Sequence, residues 1–176
     1  MMEKASDTEL VRNCLEGDKK AFDILVERYH QPMYRTVFGI VKDRERAKDI
    51  VQNGFIKSWE NLTQYKEEYK FSSWLYRIMI NESLNSERSK KHHDDLGNYA
   101  VNLQTPFHQM SEKETKRTLK ECVEELPAIY RVVIQLRHFE EMSYADIAEA
   151  LDIDAKTVKS RLYTARMQLR EKLYDR

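Results

Sequence analysis

Between Ala155 and Lys172 the chain carries six basic residues, Lys156, Lys159, Arg161, Arg166, Arg170 and Lys172, against one acid, Glu171. Wound as a helix at about 100° per residue, this stretch puts Val158, Leu162, Ala165, Leu169 and Leu173 on one face. Lys156, Ser160 and Tyr163 then fall on the opposite face, flanked by Lys159 and Thr164. Lys and Ser side chains reach base edges in a major groove, and Tyr or a Thr methyl meets a thymine methyl or a sugar. Arg161, Arg166 and Arg170 sit toward the flanks, where they suit phosphates. The chemistry on offer is duplex DNA reading.

Such a helix reads DNA only when another helix sets its angle. Ser143 is a cap for a short helix with Tyr144, Ile147, Ala148 and Leu151 in helical phase, and Asp152-Ile153-Asp154 has the length of a turn with an apolar plug. The first helix and turn are acidic (Asp146, Glu149, Asp152, Asp154) and lack Lys and Arg, so the net charge of zero hides a local asymmetry. Acid on the first helix, base on the second and a short turn together favour a helix-turn-helix over a solvated basic helix. A second concentration of chemistry lies at Gln64–Phe71, where Tyr65, Tyr69 and Phe71 alternate with Lys66 and Lys70. Trp59 and Trp74 read as core residues.

Charged residues make up 34% of the 176, with only 4 Gly and 3 Pro, which predicts an all-α chain, and a break in its periodicity divides it into two small helical domains. The expected elements are a short helix over Leu10–Gly17, then a helix capped by Asp18 and kinked or interrupted at Pro32. A third helix follows, capped by Asp43, with Ala47, Ile50, Val51, Phe55 and Trp59 as its stripe; a fourth opens at Ser72 or Ser73. Gly54 inside the third helix costs about 1 kcal/mol relative to Ala and marks either close packing or nothing. Periodicity fails from about Ser89 to Ser111, and helical phase returns near Glu112, with Pro127 near the start of the next helix. This divides the chain into 1–91, a flexible linker 92–111, and 112–176.

Several functions find no residues to carry them. There is no Gly-rich phosphate loop, no cleft-forming pair of acids and no supported Ser-His or Cys-His arrangement, so an enzyme is not expected. Cys14 and Cys122 form no CxxC motif and read as reduced, buried thiols; His92-His93 lacks partners for a metal, and no cofactor is expected. There is no run of 18 apolar residues and no secretion signal at Met1–Lys19, which places the chain in the cytoplasm. Two readings stay open on the residues alone: a stand-alone helix-turn-helix regulator with a helical sensor domain, and an interaction module such as an adaptor.

The run Ala47-Lys48-Asp49-Ile50-Val51-Gln52-Asn53-Gly54-Phe55-Ile56-Lys57-Ser58-Trp59 is followed by Phe71-Ser72-Ser73-Trp74-Leu75-Tyr76-Arg77-Ile78 and Asn81, and later by Leu126-Pro127-Ala128-Ile129-Tyr130-Arg131. In order and spacing this resembles a bacterial RNA polymerase sigma factor of the group four, extracytoplasmic-function type, over about 20–91 and 112–173. The resemblance implies that the first domain (region 2) docks on the clamp of core polymerase and opens the −10 element. It implies that the second (region 4) reads the −35 element and that the linker occupies polymerase channels.

Asp49 and Gln52 match clamp-facing positions. Asn53, like Lys48, stands where relatives carry acids, which weakens attraction to a basic partner. Opening a duplex without ATP requires trapping an unstacked base, and Tyr65, Tyr69, Lys70 and Phe71, with Arg77 and Asn81 on the adjoining helix, are implied to hold the non-template strand. Lys159, Ser160, Arg161, Tyr163 and Thr164 align with −35 readers, and Lys156 and Arg166 extend that surface. An anti-sigma partner is implied by the resemblance alone.

Overall fold

The computed structural model describes residues 5–97 and 119–174, and the side chains of 90–97, 120 and 174 are not described. The expected linker, the restart at Glu112 and the side chains of His92-His93 therefore lie outside the described residues. Among those described there is no strand.

Helix α1 (Asp7–Leu15) opens on a capping box. The Ser6 hydroxyl accepts from the Glu9 backbone N–H, and the Glu9 carboxylate accepts from the Ser6 N–H at 2.8 Å. Helix α2 (Lys19–Val41) is capped by Asp18 and ends at Lys42 in the left-handed conformation. It continues as one helix through Pro32, so the chain is not interrupted there: Leu25, Met33 and Val37 are all fully buried, and their packing outweighs the roughly 3 kcal/mol that an interior proline costs.

Helix α3 (Arg44–Glu60) starts on Asp43 as its sequence suggests and turns Ala47, Ile50, Val51 and Phe55 inward. Trp59 departs from the core assignment. It is 37% exposed at the end of the helix and packs edge-on against Phe22, ring centroids 5.0 Å apart. Helix α4 (Phe71–Gly97) begins ahead of Ser72 and continues past Lys91, burying Leu75, Met79 and Ile80 against α2 and α3.

The C-terminal part contains α5 (Leu119–Glu124), α6 (Ala128–Ile134) behind Pro127, and one wide π turn over Gln135–Phe139. Helices α7 (Tyr144–Leu151) and α8 (Ala155–Tyr174) complete it. Its core is built from Cys122, Leu126, Val132, Val133, Leu136, Ile147, Val158, Leu162 and Ala165. Cys14 and Cys122 are buried free thiols, and burial pushes the Cys14 thiol up to about 11.

The two parts touch directly, α4 against α7 and α2 against α6. At Gly39 of α2 the approach is so close that a Cβ would stand 2.6 Å from the Gln135 Oε1.

Gly54 marks close packing. A Cβ there would lie 2.3 Å from the Sδ of Met79, which is fully buried. Gly54→Ala gains about 1 kcal/mol of helix propensity but overpacks the α3–α4 contact by about 1–3 kcal/mol. The expected result is a lower urea midpoint at unchanged slope; a higher midpoint would show that Met79 gives way without loss.

Candidate nucleic-acid and polymerase interfaces

The reader is built by three local devices. The Ser143 hydroxyl accepts from the Asp146 N–H at 3.1 Å and donates to the Asp146 carboxylate at 2.7 Å, which starts α7. Asp152 ends α7 at φ 54°, and the Ile153 N–H returns to the Ala148 carbonyl at 3.0 Å. Asp154 then starts α8, accepting from the Thr157 N–H at 2.7 Å and the Thr157 hydroxyl at 2.8 Å. These bonds hold the Asp154 carboxyl below the usual carboxylate range, the Thr157 backbone N–H contributing most.

With α8 fixed this way, Val158, Leu162, Ala165 and Leu169 point into the core. Lys156, Lys159, Ser160, Tyr163 and Arg166 are exposed, Tyr163 at 67%, while Arg161 and Thr164 are half-buried. Leu173, expected on the buried stripe, is exposed near the end of the helix. Arg137 braces the reader from behind, lying 5.3 Å from the Tyr144 ring centroid and donating to the Met142 carbonyl at 2.8 Å. Next to it, burial and the charges of Arg166 and Arg137 push His138 below its ordinary value.

The aromatic loop divides into anchors and exposed groups. Phe71 is 2% exposed and packs against Tyr29, Tyr65 and Trp74. Although expected among the DNA-contacting residues, Phe71 places its ring in the core of this structure, from where it positions the loop. Tyr65 is half-buried against Phe71 and Trp74, and its hydroxyl donates to the Tyr69 carbonyl at 2.8 Å, closing the loop. Arg12 ties the loop to α1 through Glu67 at 2.7 and 2.5 Å. Tyr69 and Lys70 are exposed. Asn81 is exposed as well, on the rim of a hollow of about 230 Å³ that it shares with Trp74 and Ile78. Lys70 and Arg77 are engaged by the other domain. Lys70 Nζ is 2.7 Å from Asp146 Oδ1, and Arg77 donates to the Glu149 carbonyl at 2.6 Å.

On α3, Asp49, Gln52 and Asn53 are exposed, and Lys48 is occupied by Glu45 at 2.7 Å. Beside them runs an apolar groove of about 580 Å³ between α2 and α3, lined by Phe22, Val26, Val51, Gln52, Phe55 and Ile56. Ile56 falls off the buried stripe and is exposed on this groove, one helical turn beyond Gln52.

Two family models match the chain, Sigma-70 region 2 over residues 25–93 and Sigma-70, region 4 over 116–169. The chain is 33% identical to the ECF RNA polymerase sigma-E factor of Haemophilus influenzae, across 98% of each. This chain belongs to the extracytoplasmic-function sigma factors. It is 32% identical to the RNA polymerase sigma-H factor of Pseudomonas aeruginosa, over 94% of this chain and 93% of that one. Among solved structures, CnrH in complex with the cytosolic domain of CnrY matches with TM-score 0.71 at 21% identity, over 96% of this chain and 97% of that one. RpoE of Bartonella quintana, in complex with the anti-sigma factor NepR, matches at TM-score 0.66 and 24% identity, over 89% and 99%. At these identities the two structures speak for the fold. This sigma factor is a promoter-specific transcription initiation factor that works with core RNA polymerase and promoter DNA, and the stand-alone regulator reading is not favoured.

In this sigma factor Lys70, then Ser143, hold the Asp146 carboxyl below its ordinary value. A carboxyl depressed on folding contributes stability that is present above its unfolded value and lost as pH falls through the folded one. Acidification below about pH 4 should therefore loosen the α4–α7 contact. The expected sign is faster amide exchange in α7 at the same pH-corrected intrinsic rate, with Asp146→Asn reducing the pH dependence. An α7 whose corrected exchange is flat from neutral pH to acid would contradict it.

Proposed function

We propose that the chain divides its promoter work as 1–91 (region 2), 92–111 (linker) and 112–176 (region 4). The exposed polar face of α8 carries this reading: Lys156, Lys159, Ser160 and Tyr163 all face solvent while the opposite stripe is sealed in the core. Those residues, with Thr164, meet −35 base edges, and Arg161 and Arg166 meet phosphates. In region 2, Tyr65, Tyr69, Lys70, Arg77 and Asn81 hold the opened −10 strand by stacking, charge and hydrogen bonding. Asp49, Gln52 and Asn53, with the apolar groove beside them, meet the polymerase clamp.

The factor supplies recognition and strand capture and no bond-making chemistry of its own. Among the described residues no helix is long and apolar enough to cross a membrane, which supports a cytoplasmic location. An anti-sigma factor restrains it, a reading supported by the likeness to RpoE of Bartonella quintana, which was solved in complex with the anti-sigma factor NepR. A groove of about 640 Å³ between the domains, lined by Tyr34, Phe38, Leu119, Val123 and Phe139, suits an apolar helix from that partner.

Purified protein added to bacterial core polymerase is expected to give run-off transcripts from cognate promoters in genomic DNA. Failure to co-migrate with core at any salt concentration would overturn this. Lys159→Ala with Ser160→Ala should relax −35 preference, each lost base contact being worth about 1–3 kcal/mol of discrimination, while core binding is unchanged. Loss of both together would assign the helix a structural role only.

A further inference from the structure

The loop that region 2 offers to the opened strand has an exposed tip, Lys66 to Lys70, that carries the acids Glu67 and Glu68. Phosphates repel acids, so strand contact alone gives these two no use. Glu67 is instead taken up from the N-terminal helix. Arg12 Nε donates to its Oε1 at 2.7 Å, and Arg12 Nη2 donates to its Oε2 at 2.5 Å. Such a two-bond fork fixes direction as well as charge. Lys70, at the far end of the tip, pairs with Asp146 of region 4, whereas the Arg12 fork ties the tip to its own domain.

Helix α1 is a firm base for that tie. Leu10, Val11 and Cys14 are buried in the core that α1 shares with α2, which leaves Arg12 on the outer face. The first turn of α1 steadies the foot of the loop as well. Asp7 accepts from the Tyr29 hydroxyl and from Arg28, and Arg28 also donates to the Ala5 carbonyl at 3.0 Å. The Tyr29 ring held this way has its centroid 5.8 Å from that of Phe71, where the loop becomes α4. Between α1 and the loop lies a hollow of about 400 Å³ lined by Asp7, Thr8, Tyr65, Glu67 and Tyr69. Both tyrosines assigned to the strand therefore border α1.

We infer that α1 is a latch for the strand-capturing loop, with Arg12 a positioning residue for promoter opening that holds the tip through Glu67. The inference rests on the assignment of Tyr65 and Tyr69 to the −10 strand. A loop already in its binding shape gives up less freedom when the strand arrives, so the latch raises capture without touching DNA. An exposed ion pair adds little to global stability, so breaking this one frees the loop and leaves the fold standing.

The full chain, assembled with core polymerase on a promoter mapped by run-off transcription, provides the test. Arg12→Glu is compared with the swap of Arg12→Glu and Glu67→Arg, which rebuilds the pair in reverse and leaves the net charge as it was. Permanganate reactivity of unstacked −10 thymines reads strand capture; −35 footprints and co-migration with core read the other contacts. Arg12→Glu should lower −10 reactivity about fivefold with the other contacts unchanged, and the swap should restore at least about half of the loss. In the free protein, amide exchange over 64–71 should quicken in Arg12→Glu and slow again in the swap. The α2 amides and the thermal melt should stay as they are in the unsubstituted chain.

A swap that remains as weak as Arg12→Glu overturns the latch, and so do loop amides that respond to neither variant. It is overturned too if the α2 amides quicken with the loop and the melt falls, since Arg12 would then serve the fold. Tyr69→Ala judges the reading beneath it. If Tyr69→Ala weakens capture and Arg12→Glu does not, the latch alone fails. If Tyr69→Ala leaves −10 reactivity unchanged, the loop does not hold the strand, and the latch falls with that assignment.

Discussion

Helix α4 is packed on more than one side, and the rest of the molecule is arranged around that constraint. From Phe71 to Ile80 not one of its residues is exposed. Leu75, Met79 and Ile80 face the core that α2 and α3 complete, Phe71 and Trp74 hold the aromatic loop, and Tyr76 and Arg77 meet region 4. The helix that seals one domain thus also presents that domain to its neighbour. A change to its register would move the core, the loop and the domain contact together, because side chains on its different faces are separated by only one or two residues.

The contact between the domains is of a different kind from the cores it joins. Its central pairs are polar and partly solvated, and the deeper charges are held by several acceptors. Arg131, whose charged form burial disfavours, donates to the Glu124 carbonyl at 2.7 Å and lies near Glu87. Glu140 is similarly shared between Tyr76 and Arg35. An interface made of such pairs holds orientation without fusing the two parts into one core, the character expected of domains that move relative to each other.

What could be read from the chain beforehand was mostly local. Asp18, Asp43 and Ser143 cap the helices their positions suggest, because capping is a short-range bond between a side chain and the next turn. The buried and exposed faces of α8 followed from periodicity for the same reason. What local reading left open depends on distant packing. Pro32 does not break α2, Phe71 is sealed in an aromatic cluster assembled from α2, the loop and α4, and Ile56 lies beside a groove that only the α2–α3 crossing creates. The acids of α7 were visible as an asymmetry, but their partners were not. Lys70 and Asp146 are 76 positions apart, and no period in the sequence links them.

The direct contact between the two domains also sets a length. Promoter boxes centred near −35 and −10 are about 25 base pairs apart, or roughly 85 Å of B-form duplex at about 3.4 Å per pair. Domains that touch as α4 and α7 do cannot sit on both at once. In this compact shape the factor can grip one box or neither. Simultaneous possession of the two boxes belongs to an extended shape, and the distance between them becomes a measure of how far the factor has been drawn out.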